Sequence, residues 1–144
     1  MSVLEQLRRN QLAIISLLVA LTALGYNTWR NELTEANRTI RQAGFEMVVH
    51  LSDLQRIAYL RHYDNDMTGG NPRKGWAEVL VLKDLAVLMP DNVNSATTTL
   101  TDAWGANWAQ LGTSGATGDA AIAELDAAID ELRANLKISL RTLG

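Results

Sequence analysis

The 144-residue chain contains no cysteine. Disulfides, thiolate metal sites, thiol nucleophiles and a lipid-modified N-terminal cysteine are therefore excluded. Positive charge is scarce as well: the net charge is −3, and no basic patch is large enough to bind nucleic acid. The only histidines are His50 and His62. Twelve residues apart on one helix, they face about 120° from each other and cannot share a metal without further ligands. Serines 52, 95, 114 and 139 have no histidine or acid at a spacing that implies activation. No catalytic constellation is left, so the chain is read as a non-enzyme that needs no cofactor. Proline occurs only at positions 72 and 90, and each marks a helix boundary.

Against these absences stands one apolar run, residues 12–26, closed by Trp29. No charged residue lies between Arg9 and Arg30. Roughly 18 to 20 helical residues cross a hydrocarbon core of about 30 Å. Tyr26 and Trp29 suit the headgroup layer, where an amphipathic ring keeps its polar edge wet. A cleaved signal peptide would share the basic start, with Ala23-Leu24-Gly25 as the cleavage site; the reading adopted is a retained anchor. Arg8 and Arg9 oppose Glu5 before the run, and Arg30, Arg38 and Arg41 follow it, so charge counting is balanced. The short basic tail followed by a long domain has the layout of a signal anchor. The expected organisation is a cytoplasmic tail at residues 1–10, a transmembrane helix at 11–29 and a periplasmic helical domain at 30–144. The membrane would be a bacterial inner membrane. Ala13, Ser16, Ala20 and Ala23 form a stripe of small residues on the anchor. Such stripes let backbones approach in lipid, making this one a candidate docking face for another membrane helix.

Beyond the anchor the pattern stays helical. Trp29, Leu33, Ala36, Ile40, Ala43 and Met47 alternate spacings of four and three, followed by Leu51 and Leu54. This 3.5-residue period is that of a coiled coil or bundle. One helix is expected from about residue 10 to about 62, its outer part roughly 50 Å long. Gly44 within it suggests close packing. The segment 64–72 contains Gly69, Gly70 and Pro72 and stops the helix; Asn71 can cap a second helix with Pro72 at its first position. That helix is expected over 72–89. Its apolar residues, including Val79, Leu80, Leu82, Leu85 and Leu88, leave no polar face, so burial on several sides and a partner contact are expected. A strand at 79–82 is the alternative. A third helix is expected over 93–111, with Trp104 and Trp108 on one face as a pocket or partner groove. After a flexible linker at 112–118, Asp119 is expected to cap a fourth helix reaching about 142, with Ile122, Leu125, Ile129, Leu132 and Leu136 as its seam. Acids at its start and Lys137 and Arg141 near its end match the helix dipole.

The fold class is therefore all-α: one N-terminal transmembrane helix continuing into an antiparallel four-helix bundle or coiled-coil-like domain. That topology returns Leu136, Leu140 and Leu143 toward the bilayer, to pack in the core or to touch lipid. Asp64, Asp66 and Thr68, followed by Gly69, resemble the opening of a calcium loop, but its twelfth position is Gly75 instead of Glu. A solvated turn is the simpler reading.

The function expected from these features is that of a single-pass accessory or scaffold subunit. It would bind and stabilise a partner membrane or envelope complex through Ala13, Ser16, Ala20 and Ala23 and through the helical domain. Possible partners are other membrane subunits or a second copy, with lipid around the anchor and no nucleic acid. Two alternatives differ in class. In architecture alone, the layout resembles the sensory four-helix bundles of membrane chemoreceptors, which implies a ligand-binding module; the second span of those receptors is missing. In layout it is also similar to phage inner-membrane spanins and divisome coiled coils, which implies a self-associating tether; the glycine- and proline-broken middle departs from them.

Overall fold

A computed structural model describes residues 10–143. The expected tail, with Glu5, Arg8 and Arg9, lies outside the described residues. Among the described residues, regular structure consists of four helices: α1 Gln11–His62, α2 Pro72–Ala86, α3 Asp91–Asn107 and α4 Ala116–Thr142. No strand occurs among the described residues, and 79–82 belong to α2. By internal contacts the chain divides into Met1–Arg38 and Thr39–Gly144.

The first unit holds the apolar part of α1. Among the described residues, α1 is the one helix long and apolar enough to cross a membrane, and none of its most apolar stretch is buried. Leu12 is 83% exposed, and Leu17, Leu18, Val19, Leu21 and Leu24 are exposed too. The hydroxyls of Ser16, Thr22 and Thr28 donate to the carbonyls of Leu12, Leu18 and Leu24, at 2.8, 2.8 and 3.0 Å. This four-back bonding satisfies each hydroxyl within its own helix, as it does at Thr34, Ser52 and Thr98.

The second unit is a helical bundle with one core. Met47, Leu51, Leu54 and Ala58 of α1 meet Val79, Leu82 and Ala86 of α2. Val93, Leu100 and Trp104 of α3 join them, together with Leu125, Ile129, Leu132 and Leu136 of α4. Polar contacts fix the directions. Along α1, Arg41, Gln55 and His62 reach residues 143, 126 and 119 respectively, so α4 runs antiparallel to α1. Likewise, Asn92 contacts Asn135 while Asn107 contacts Glu124, and α3 opposes α4.

The boundaries follow local chemistry. Asn71 is the N-cap of α2: its side-chain oxygen accepts from the Arg73 amide at 2.9 Å, and Pro72 occupies the first helical position. Three helices differ at their ends from the sequence reading. α3 spans Asp91–Asn107 instead of 93–111, starting directly after Pro90 and passing into turns over 108–112. α2 stops at Ala86, three residues early, because 87–89 tighten into a turn ahead of Pro90, where an α conformation is disfavoured. α4 begins at Ala116 with Gly115 as its N-cap. The Gly115 φ of +82° lies in the left-handed region that glycine enters at little cost. Asp119 therefore sits in the first turn and does not cap the helix, although its charge still favours the positive helix end. The linker is correspondingly shorter, and Gly118 is buried.

The inner seam of α1 becomes core from Ala43 onward, with Ile40 packed at its margin. Trp29 and Leu33 on the same seam are 59% and 49% exposed. Gly44 has Leu140 and Met89 against it, which is the close packing its position suggested. Leu136 is fully buried, so its role is core packing.

Candidate functional site

The helices sort the candidate residues into interior and surface. On α2, Val79 and Leu82 are core residues. Leu85 is half-buried against that core, whereas Leu80, Val87 and Leu88 are exposed. Within this chain the bundle covers α2 on one side and leaves other apolar side chains of it uncovered. A single helix face can be covered by α1 and α3, and the opposite apolar side chains are left in solvent. Burial removes Val79 and Leu82 from any docking surface of the folded domain. Leu80, Val87 and Leu88 remain, and Leu88 borders a small groove of about 210 Å³ with Thr39, Gln42 and Glu46.

The two tryptophans also part. Trp104 is 1% exposed and Trp108 is 36% exposed. Trp104 lies over Gly75, its six-membered ring filling the space beside that backbone. Its indole Nε1 is buried without a hydrogen-bond partner. It is a core side chain, and the pair does not line a shared groove.

On the apolar part of α1, Ala13, Ser16, Ala20 and Ala23 are all exposed. The Ser16 hydroxyl proton is directed to Leu12, so toward another helix its oxygen can still accept.

Polar clusters lie along α1. Tyr59 donates to both carboxylate oxygens of Asp126, at 2.9 and 3.1 Å. Gln55 donates to Asp126 at 3.1 Å and accepts from Arg133 at 2.7 Å. This network ties α1 to α4. Partial burial, and then the Asp126 carboxylate, raise the Tyr59 pKa above the usual phenolic value. His50 Nδ1 lies 2.7 Å from Glu78 Oε2 and joins α1 to α2. At the far end of α1, His62 Nδ1 donates to the Leu111 carbonyl at 3.1 Å, and Nε2 lies 3.4 Å from Asp119. Both histidines thus act as ties between elements, and sequence spacing could not reveal their partners.

The 64–70 segment is a hydrogen-bonded turn. Asp66 Oδ1 accepts from the Thr68 amide at 2.7 Å. Backbone donors at Gly69 and Thr68 hold the Asp66 carboxyl below its usual range. Asn65 takes a φ of +49°, which asparagine tolerates better than most residues. Asp66 is thus occupied by its own backbone. Among the described residues no group of three or more acidic or histidine side chains could hold a metal ion.

Beside Tyr59 and Tyr63 runs an open groove of about 370 Å³, lined by Ser52, Gln55, Arg56, Leu60 and Asp64. Every lining residue belongs to α1 or the two residues after it. The two tyrosine rings meet edge-on at 5.5 Å. No protein-family model, curated protein or solved structure matches the chain.

Proposed function

We propose that this chain is a single-pass membrane accessory subunit whose helical domain binds and steadies a larger membrane or envelope complex by contact. The observation that carries the reading is the uncovered apolar stretch of α1, long enough to cross a bilayer and unburied along its most apolar part. Exposing such a stretch to water is strongly unfavourable, at about 25 cal/mol for each Å² of apolar surface. Lipid removes that penalty. The tilted Tyr26–Trp29 pair, 6.3 Å apart, supports the same reading.

Two surfaces serve the contact. Ala13, Ser16, Ala20 and Ala23 meet a partner helix within the membrane. Leu80, Val87 and Leu88 stand exposed on the domain and meet a partner there. The N-terminus lies in the cytoplasm and the domain in the periplasm. A ligand-sensing role has less support, because the groove along α1 is open and comes from one helix. Small-molecule sites are more often enclosed and lined from several elements.

The test is extraction of native membranes at alkaline pH, then affinity purification of the full chain in mild detergent. Retention in the membrane with a stoichiometric membrane-protein partner is expected. Recovery of the chain in the soluble fraction without detergent would sink the reading.

A further inference from the structure

Within the bundle, α1 bears two stripes. The inner one supplies the core. A second stripe lies on the side away from it: Phe45, Val49, Ser52, Arg56, Tyr59 and Tyr63, spaced four, three, four, three and four. All six are exposed. Phe45, the chain's single phenylalanine, is 59% exposed, and Val49 and Tyr63 are 59% and 66% exposed. Isolated apolar residues on a surface need no explanation, but here two exposed pairs, Phe45 with Val49 and Tyr59 with Tyr63, keep one coiled-coil period across the polar positions Ser52 and Arg56.

We infer that this outer stripe pairs two copies of the chain, side by side and parallel. The inference rests on the anchor reading above, since chains held in one bilayer enter their domains from the same side. Three observations select a second copy as the occupant. First, a stripe with a seven-residue period is complementary to itself: its side chains fill the gaps of an identical stripe. Second, the groove beside Tyr59 and Tyr63 gives the face hollows to fill. Third, one flanking charge pair is complementary, beside the bonds its members make at home, Arg41 donating to the Leu143 carbonyl and Glu46 accepting from Gln42. Arg41 and Glu46 flank the stripe on opposite sides, five residues apart. In a parallel, in-register pair, Arg41 of each copy therefore faces Glu46 of the other.

Arg56 is the one charge within the stripe. Asp53 lies 3.2 Å from it and offsets part of the repulsion between copies. Polar residues at such positions, here Ser52 and Arg56, set register at some loss of stability.

The size of the surface decides where pairing occurs. The exposed parts of Phe45, Val49, Tyr59 and Tyr63 amount to on the order of 400 Å² per copy. A stable interface takes roughly 800 Å² per partner. Pairing is therefore weak between free chains and depends on the anchors, which confine both copies to one sheet and raise their effective concentration.

The lack of cysteine makes a direct test possible. Single cysteines are placed by Ser52→Cys on the stripe and by Ala127→Cys on the exposed side of α4. Each full-length variant is oxidised in native membranes with a copper catalyst. A disulfide-linked dimer is expected from Ser52→Cys, at least five-fold more than from Ala127→Cys. Adding Phe45→Glu to Ser52→Cys should cut that yield by a similar factor. Equal yields at 52 and 127, no dimer at 52, an unchanged yield with Phe45→Glu, or linkage of residue 52 to a different polypeptide each overturn the pairing. Alkaline extraction of the same membranes separates the two readings. A chain that stays in the membrane but does not link through residue 52 overturns the pairing alone; a released chain overturns both.

Discussion

The indole ring of Trp104 lies where a β-carbon on Gly75 would have to go. This approach lets α2 and α3 sit backbone to ring, and it makes the two residues one packing unit. Gly75→Ala should destabilise the domain by about 1–3 kcal/mol through overpacking. Trp104→Ala should remove about 3–5 kcal/mol. Combining Gly75→Ala with Trp104→Phe should cost less than the sum of the two single changes, since the smaller ring makes room. Denaturant unfolding of the full chain in detergent, followed by circular dichroism, measures all of these. Strict additivity would show that the pair does not share space.

Asn71 fixes the start of α2 by accepting from the Arg73 amide. Asn71→Ala should lower stability by about 1 kcal/mol, and Asn71→Asp should restore most of it. A thermal melt that separates the three proteins in that order supports the cap; coincident melts argue against it.

The Tyr59–Asp126 bond makes stability depend on alkaline pH. The neutral phenol donates the proton, and burial together with the nearby carboxylate raises the folded-state pKa. A raised pKa means that the contribution is fully present below the unfolded value of about 10. It is lost as pH climbs through the higher folded value. Tyrosinate absorbance should show one ionisation above the usual phenolic range, and Tyr59→Phe should abolish it. A titration in which that ionisation survives the substitution refutes the assignment.

On the domain surface, Leu80→Ser with Leu88→Ser should reduce recovery of the partner from mild detergent by at least several-fold. The melting temperature should change little, because both side chains stand in solvent. A large loss of stability would instead mean that they pack.

Within the anchor, Ala20→Leu should weaken association by crowding the small-residue face. Association can be read from energy transfer between labelled chains and partner in vesicles. An unchanged signal would remove that face as a docking site.

The sequence carried more of the fold than of the surfaces. Periodicity exposed the four helices because apolar spacing is a local property, and Asn71-Pro72 marked a start that the structure keeps. Gly115 was read as part of a flexible linker, since a positive φ leaves no trace in composition. Hydropathy also does not separate the core residues of α2 from its surface ones. Val79 and Leu80 look alike to hydropathy, and only the positions of α1 and α3 decide that one is core and the other surface. Trp104 and Trp108 share a helical face by spacing, yet Gly75 draws only the first of them inward. The outer stripe of α1 is periodic too, but the stronger inner seam on the same helix hides it from inspection.

Arg41 donates to the Leu143 carbonyl at 2.7 Å, so the helical unit begins and ends at one pole. Tension applied to α1 at Thr39, with the domain held elsewhere, would drag the helix lengthwise against its neighbours. Every contact from Ala43 to His62 would then share the load at once, instead of failing in sequence as in a zipper.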